Sequence, residues 1–230
     1  MDKVKVICHM YVTIDGKIQT DLQGYPDSLE AGIIYDNFTF DSAKAWGCGR
    51  DTFEYLSDKN IKLDSYLPKE GELIDHVVRD DIYCFAFDRR GKLFFKSEYN
   101  DYAERKSRFV SVLTESVDRR FISYLDGKNI SYIFCGKDDF DLNLFLEKLS
   151  SLGISTFMLC GGPKINSVFM KEDLIDEISL IICPGVQGGR KELTFVGNED
   201  INGFPKYYHI DKVKILEGDT VQLIYTKERR

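Results

Sequence analysis

Cys160-Gly161-Gly162-Pro163 closes one apolar run and opens a helical pattern. A strand, a glycine pair and a helix start form a phosphate cradle: small residues let a diphosphate touch the backbone, and free N–H groups at the helix start point at it. Glycines in that place also serve simply to turn a strand into a helix. Gly49-Arg50-Asp51-Thr52 supplies a second candidate, with a glycine before a helix start, a permanent charge and a hydroxyl. An anion site there would face the first across the sheet; alone, Arg50 reads as a solvated surface arginine. Thr13-Ile14-Asp15-Gly16-Lys17 is first of all a turn at a strand end. Its place on the same ligand face makes Asp15 a polar contact or a proton-handling group. His9, inside an apolar strand, reads as a core histidine, and the FDRRGK segment at 87–92 as a solvated turn.

Other chemistries lack their residues. No G-x-G-x-x-G follows the first strand, and no G-x-x-x-x-G-K-[ST] loop or G-x-S-x-G elbow occurs. His9, His76 and His209 are scattered, which argues against a Ser-His-Asp hydrolase. The six cysteines form no C-x-x-C pair and sit in apolar runs such as YIFC and LIIC, so they read as reduced, buried thiols of a cytoplasmic protein without structural zinc. A net charge of −7 argues against sequence-independent binding to nucleic acid or anionic membrane. Neither a secretory leader nor a run long enough to span a bilayer is expected.

The elements that must position these residues follow from periodicity. Apolar, β-branched and aromatic runs predict strands near 4–14, 43–48, 82–88, 109–114, 130–135, 155–160 and 176–183. Helices are expected at 139–152 with Gly153 as C-cap, at 51–58 behind an Asp51/Glu54 capping pair, at 117–125, at 164–170 and somewhere in 28–42. The tail alternates around Glu217-Gly218-Asp219 and predicts a terminal antiparallel hairpin. Strands alternating with helices give a parallel, twice-covered core, so the sheet is mixed. Residues 19–30 and 57–80 read as long loops. At this length one domain over residues 1–230 is the expectation.

These segments, in this order, resemble the dihydrofolate-reductase-like superfamily, and within it the pyrimidine reductase domain of the bifunctional deaminase/reductase of riboflavin biosynthesis. The resemblance rests on Thr13-Ile14-Asp15-Gly16-Lys17-Ile18, on Gly49-Arg50-Asp51-Thr52, on the strand-ending Leu113-Thr114, and most specifically on the run from Leu146 to Gly189. It implies an α/β three-layer fold with a mixed sheet of about eight or nine strands and an antiparallel C-terminal hairpin. It also implies NADPH as cofactor, hydride transfer to a C=N or C=O carbon, and a homodimer. By motif match, Gly161, Gly162 and Pro163 would meet the diphosphate, Gly49, Arg50 and Thr52 further phosphates, and Thr114 the adenosine end. Thr13, Asp15 and Cys160 would lie at the reacting end, under a loop running through Asp21, Gln23 and Tyr25.

Two positions depart from the resembled family. Cys160 stands where a glutamate is usual and His9 where a lysine is usual, and a neutral thiol cannot replace a carboxylate in managing a proton. A ribosylaminopyrimidine phosphate is the leading substrate that the resemblance implies, and the two departures bear against it. A non-catalytic nucleotide-binding homologue and a reductase of a folate- or pterin-like compound stay open beside it.

Overall fold

The structure, a computed structural model, describes residues 3–18, 25–189, 193–197 and 202–227. Ten strands and five helices occur among them. In chain order they are β1 (Lys5–Thr13), α1 (Pro26–Ser42), β2 (Ala45–Gly49), α2 (Arg50–Phe53), β3 (Tyr83–Phe87), β4 (Tyr99–Tyr102), β5 (Arg105–Leu113), α3 (Arg119–Gly127) and β6 (Ser131–Phe134). Then come α4 (Leu142–Ser151), β7 (Thr156–Leu159), α5 (Pro163–Lys171), β8 (Glu177–Cys183), β9 (His209–Ile215) and β10 (Val221–Thr226). The chain forms two compact units, one centred on Lys44–Ser155 and one made of Lys5–Ala43 with Thr156–Arg230.

In the first unit β2, β3 and β5 run parallel. β5 carries antiparallel β4 along its first half and parallel β6 along its second. All five residues of β3 are buried, as expected of a strand covered on both faces. α4 buries Leu142, Phe145 and Leu149, one helical stripe, and Phe145 meets Phe85 and Phe87 edge-on at 5.5 and 5.0 Å. The helix starts three residues later than expected because Asp141 caps it, accepting from Leu144 N at 2.9 Å. Gly153 takes the left-handed φ of +78° expected just past its end.

In the second unit the order is β7-β1-β8-β10-β9. β1 is parallel to β7 and β8, whereas β10 is antiparallel to both β8 and β9. The terminal hairpin is thus present, turning at Gly218 and Asp219 with φ of +62° and +52°. α1 lies on one face, where Ala31, Ile34 and Tyr35 pack against Tyr11, Ile181 and Cys183.

Three expectations need correction. β4 adds an antiparallel hairpin missing from the reading, closed by Ala103 and Glu104 at φ of +50° and +57°. Its sequence, YNDY, has no apolar alternation, and its turn lacks the Asn-Gly signature such turns favour. The helix expected at 51–58 is one turn, α2, followed by a 3-10 turn at Glu54–Leu56. Gly49 is its N-cap and Arg50 is already helical, so Asp51 lies inside the helix, two places too late to cap it. The loop expected over 19–30 ends early, because Pro26 opens α1 with its φ preset for the first helical turn. Asp21 and Gln23 lie outside the described residues, and Tyr25 is the exposed N-cap of α1. No helix among the described residues is long and apolar enough to cross a membrane.

Candidate functional site

The sequence-predicted residues gather at strand carboxyl ends, in three clusters. The first is the clasp at the end of β1. Thr13 Oγ1 donates to Asp15 Oδ1 at 2.6 Å and accepts from Lys17 N at 2.9 Å. Asp15 also accepts from Gln187 N at 3.1 Å and Gly188 N at 2.8 Å, in the segment that leaves β8. The Thr13 hydroxyl, and then these backbone N–H groups, hold the Asp15 carboxyl at about 2. Asp15 is therefore ionised at neutral pH. That suits a polar contact or a loop tie better than a proton donor.

The second cluster lies earlier along β1, beside the end of β7. Leu159 pairs with Cys8, so Cys160 and Gly161 fall beside His9 and Met10. Three residues of strand, about 10 Å, separate Met10 from Thr13. Gly161 has φ of +96°, and a Cβ there would lie 2.9 Å from Met10 Cε. Gly162 caps α5 with no side-chain bond and Pro163 takes the first turn, so backbone N–H groups are what this helix start presents. Small residues at a helix start fit a diphosphate. Asn166, wholly buried one turn on, donates from Nδ2 to Phe195 O at 2.7 Å and holds α5 in place.

Cys160 is half-buried and turned to α1, where Tyr35 and Thr39 hydrogen-bond it and Asp36 stands near; burial pushes its thiol up to about 11. His9 is buried, stacked on Tyr35 at 4.4 Å, and its Nε2 donates to Tyr35 O at 3.1 Å. Burial pushes His9 down to about 4, so it is a neutral core histidine. Where the resembled family usually has a glutamate and a lysine, this chain has two neutral groups. Asp36 is the acid that sequence reasoning missed; its only signal was a carboxylate on the face of α1 that also carries Tyr35 and Thr39.

The third cluster belongs to the first unit. Arg50 is half-exposed and pairs with Asp51 at 2.8 Å, while Thr52 is exposed. Asp51 first, then Asp88 and Glu54, raise the Arg50 pKa further. Thr114 is wholly buried, and its hydroxyl donates to Arg89 O at 2.9 Å, tying the end of β5 to the turn after β3. Gly136, after β6, accepts from Glu115 N at 3.0 Å.

The turn at 87–92 is only partly the solvated one expected. Asp88 is 1% exposed, and its carboxylate accepts from Lys92 N and, at 2.7 Å, from Leu93 N. Burial raises its pKa. Its signal was its place, directly at the carboxyl end of an all-apolar strand. Arg89 is ion-paired with Asp139, and Arg90 is exposed. Arg50, Arg89, Arg90 and Lys92 share this end with Asp51, Glu54, Asp88 and Asp139, and Arg50 and Arg89 are ion-paired.

Among solved structures, a pyrimidine reductase-like protein from Corynebacterium diphtheriae superposes with a TM-score of 0.69 at 12% identity, over 100% of this chain and 93% of that one. That likeness, with the mixed sheet and terminal hairpin, defines the class: a pyrimidine-reductase-like α/β fold. The family model of the RibD C-terminal domain matches residues 95–221, and the chain belongs to that family. Two curated relatives carry the name 2,5-diamino-6-ribosylamino-4(3H)-pyrimidinone 5′-phosphate reductase. The one from Methanothermobacter thermautotrophicus is 36% identical over 75 residues, 33% of this chain and 35% of its own. The one from Aquifex aeolicus is 29% identical over 97 residues, 42% of this chain and 43% of its own. The chain thus spans less than half the length of the curated relatives it matches.

Proposed function

We propose that this chain is an NADPH-dependent reductase of a ribosylaminopyrimidine 5′-phosphate, acting as one domain over residues 1–230 in a cytoplasmic homodimer. The β7–α5 junction is the observation that carries it. Gly161 brings its backbone against Met10, and Gly162 opens a helix as a cap residue without a side chain of its own to offer. The family match and the names of the two relatives support the substrate class.

When bound, the cofactor supplies the hydride. Gly161 and Gly162 would hold its diphosphate on backbone N–H groups, and Pro163, which has no N–H to donate, starts α5, whose dipole would favour the anion. Gly49, Arg50 and Thr52 would meet a further phosphate, and the permanent charge of Arg50 favours NADPH over NADH. Thr114 acts through backbone, keeping the ends of β3 and β5 in register for the adenosine end. Thr13 and Asp15 fix the loop that borders the reacting end, and Asp15 offers it an anionic contact. Cys160, protonated at neutral pH, sits beside the glycine pair as a hydrogen-bond donor. Six free thiols suit the reducing cytoplasm.

The neutral His9 and Cys160 favour a second reading, a homologue that binds the cofactor without turnover. Trp46, buried one ring from Phe53 of α2 at 5.9 Å, reports on the Arg50 end. Titrating NADPH and NADH against its fluorescence should show tighter binding of NADPH. Arg50→Gln should weaken NADPH by about tenfold or more and NADH little. Mixing with the pyrimidine phosphate should then consume nicotinamide absorbance. No binding of either cofactor at high micromolar concentration sinks the proposal. Binding without consumption selects the second reading, and consumption only with folates or pterins changes the substrate.

A further inference from the structure

The geometry points to Asp36 as the residue that selects the pyrimidine: its carboxylate takes the ring N–H and the 2-amino group of a 2-amino-4(3H)-pyrimidinone, and so favours that ring over its 2-oxo counterpart. The inference rests on the reductase reading proposed above and adds which ring the site accepts.

Two successive residues at the end of β7 face different elements. A Cβ on Gly161 would point at Met10 and, at 3.7 Å, at Asn166 of α5, whereas the Cys160 thiol turns to α1 and hydrogen-bonds Tyr35 and Thr39. A ligand lying beside the glycine pair on the Cys160 side therefore meets α1. Tyr35, Asp36 and Thr39 span an arc of about 100° on that helix, with Thr39 between the other two. Tyr35 fixes the arc against β1. Its carbonyl accepts from His9 Nε2 at 3.1 Å and from Thr39 Oγ1 at 3.0 Å, its hydroxyl donates to His9 O at 3.4 Å, and its ring stacks on His9 at 4.4 Å. Asp36 thus leaves a turn of helix that is already held, which is the support a recognition residue needs.

Asp36 is half-buried, with Oδ1 shielded from solvent, and its charge acts on Cys160. The other acids of α1 lie elsewhere. Asp27 and Asp41 are exposed, and Glu30 lies against the hairpin turn, its Cβ 3.1 Å from where Gly218 would carry one.

The chemistry of a carboxylate selects the ring. It only accepts, and it takes two parallel donors at once. In a 2-amino-4(3H)-pyrimidinone the N3–H and the 2-amino group are such a pair, and the C4 carbonyl beside them accepts. A thiol that donates next to a carboxylate that accepts, as Cys160 and Asp36 stand, is complementary to that edge. The 2-oxo ring turns one of the two donors into a carbonyl and sets it against the carboxylate, leaving both acceptors unpaired. His9, neutral and bonded to Tyr35, supplies no cation to offset that contact.

The test compares two substrates on the full chain: 2,5-diamino-6-ribosylamino-4(3H)-pyrimidinone 5′-phosphate and the same phosphate with oxygen at C2. Loss of NADPH absorbance gives kcat/KM, and calorimetric titration of the NADP⁺-loaded chain gives Kd whether or not hydride moves. Wild type should prefer the 2-amino ring about a hundredfold in both measures. Asp36→Asn, whose amide can donate to the 2-oxo group, should bring that ratio to within a few-fold of one. Asp36→Ser reads the same loss where the amide disturbs folding, and Asp41→Asn, an exposed acid farther along α1, should leave the ratio unchanged. A wild type that takes both rings equally, or a ratio indifferent to both Asp36 variants, overturns the role of Asp36 and leaves the reductase standing. A preference in Kd that depends on Asp36, without consumption of NADPH, keeps Asp36 and overturns the reductase; binding of neither ring overturns both.

Discussion

Replacing Gly136 by alanine sets a methyl group against main chain at a strand end. Gly136 has φ of +98°, and a Cβ there would lie 2.1 Å from the carbonyl oxygen of Asp139 and 2.9 Å from the nitrogen of Asp141. The left-handed φ alone costs an L-residue about 1–2 kcal/mol. Making room also opens a turn that carries Asp141 N donating to Cys135 O at 3.1 Å and Glu115 N donating to Gly136 O at 3.0 Å. It displaces Asp141 from the start of α4 as well. Each of these three bonds is worth about 1 kcal/mol, so the total is near 4 kcal/mol. Gly153 provides the control, with φ of +78° and nothing within 4 Å of a Cβ. Gly153→Ala should therefore cost only the φ term, about 1 kcal/mol. For a chain of this size 1 kcal/mol moves Tm by about 2–4 °C, so calorimetry should find losses near 3 °C for Gly153→Ala and near 12 °C for Gly136→Ala. Equal losses would refute the main-chain clash and the stiffness of the turn that holds Glu115 beside Thr114.

Two further outcomes follow from the site. Asp15 is held at about 2 against an ordinary 3.8, so the stability it contributes is present above about pH 4 and disappears as pH falls toward 2. The Tm gap between wild type and Asp15→Asn should be flat from neutrality to mild acid and close below that; a gap unchanged at about pH 2 would mean the clasp does not bind the carboxylate in preference to the acid. Cys160, pushed up to about 11, carries roughly a thousandth of its thiol as thiolate at about pH 8, so its alkylation should quicken about tenfold per pH unit. Saturating NADPH should slow that labelling, and equal rates with and without it would remove Cys160 from the cofactor's surroundings.

Much of the scaffold was legible because its signals are local. β3 and β8 read as strands because YCFAF and EISLIIC are β-branched and aromatic, and α4 showed its stripe of Leu142, Phe145 and Leu149. The glycine pair and the Gly49-Arg50 turn were visible for the same reason. β4 was hidden because a polar edge strand carries no burial pattern. The Asp51/Glu54 pair misled because a capping box names residue types, while the helix is capped two residues earlier, at Gly49.

By itself the sequence determined strands, helix starts and the residue types at strand ends, since these depend on neighbours a few positions away. It also carried enough of the family pattern to be identified across 95–221. Only tertiary structure decided which groups meet. Asp15 finds Gly188 across 173 positions, which turns a turn residue into a clasp held ionised. Burial in the core keeps His9 neutral despite its contact with Tyr35, and Asp88 disappears beneath its own turn. Partners and desolvation follow from strand order and layering, and these set charge state and exposure, which residue type alone leaves open.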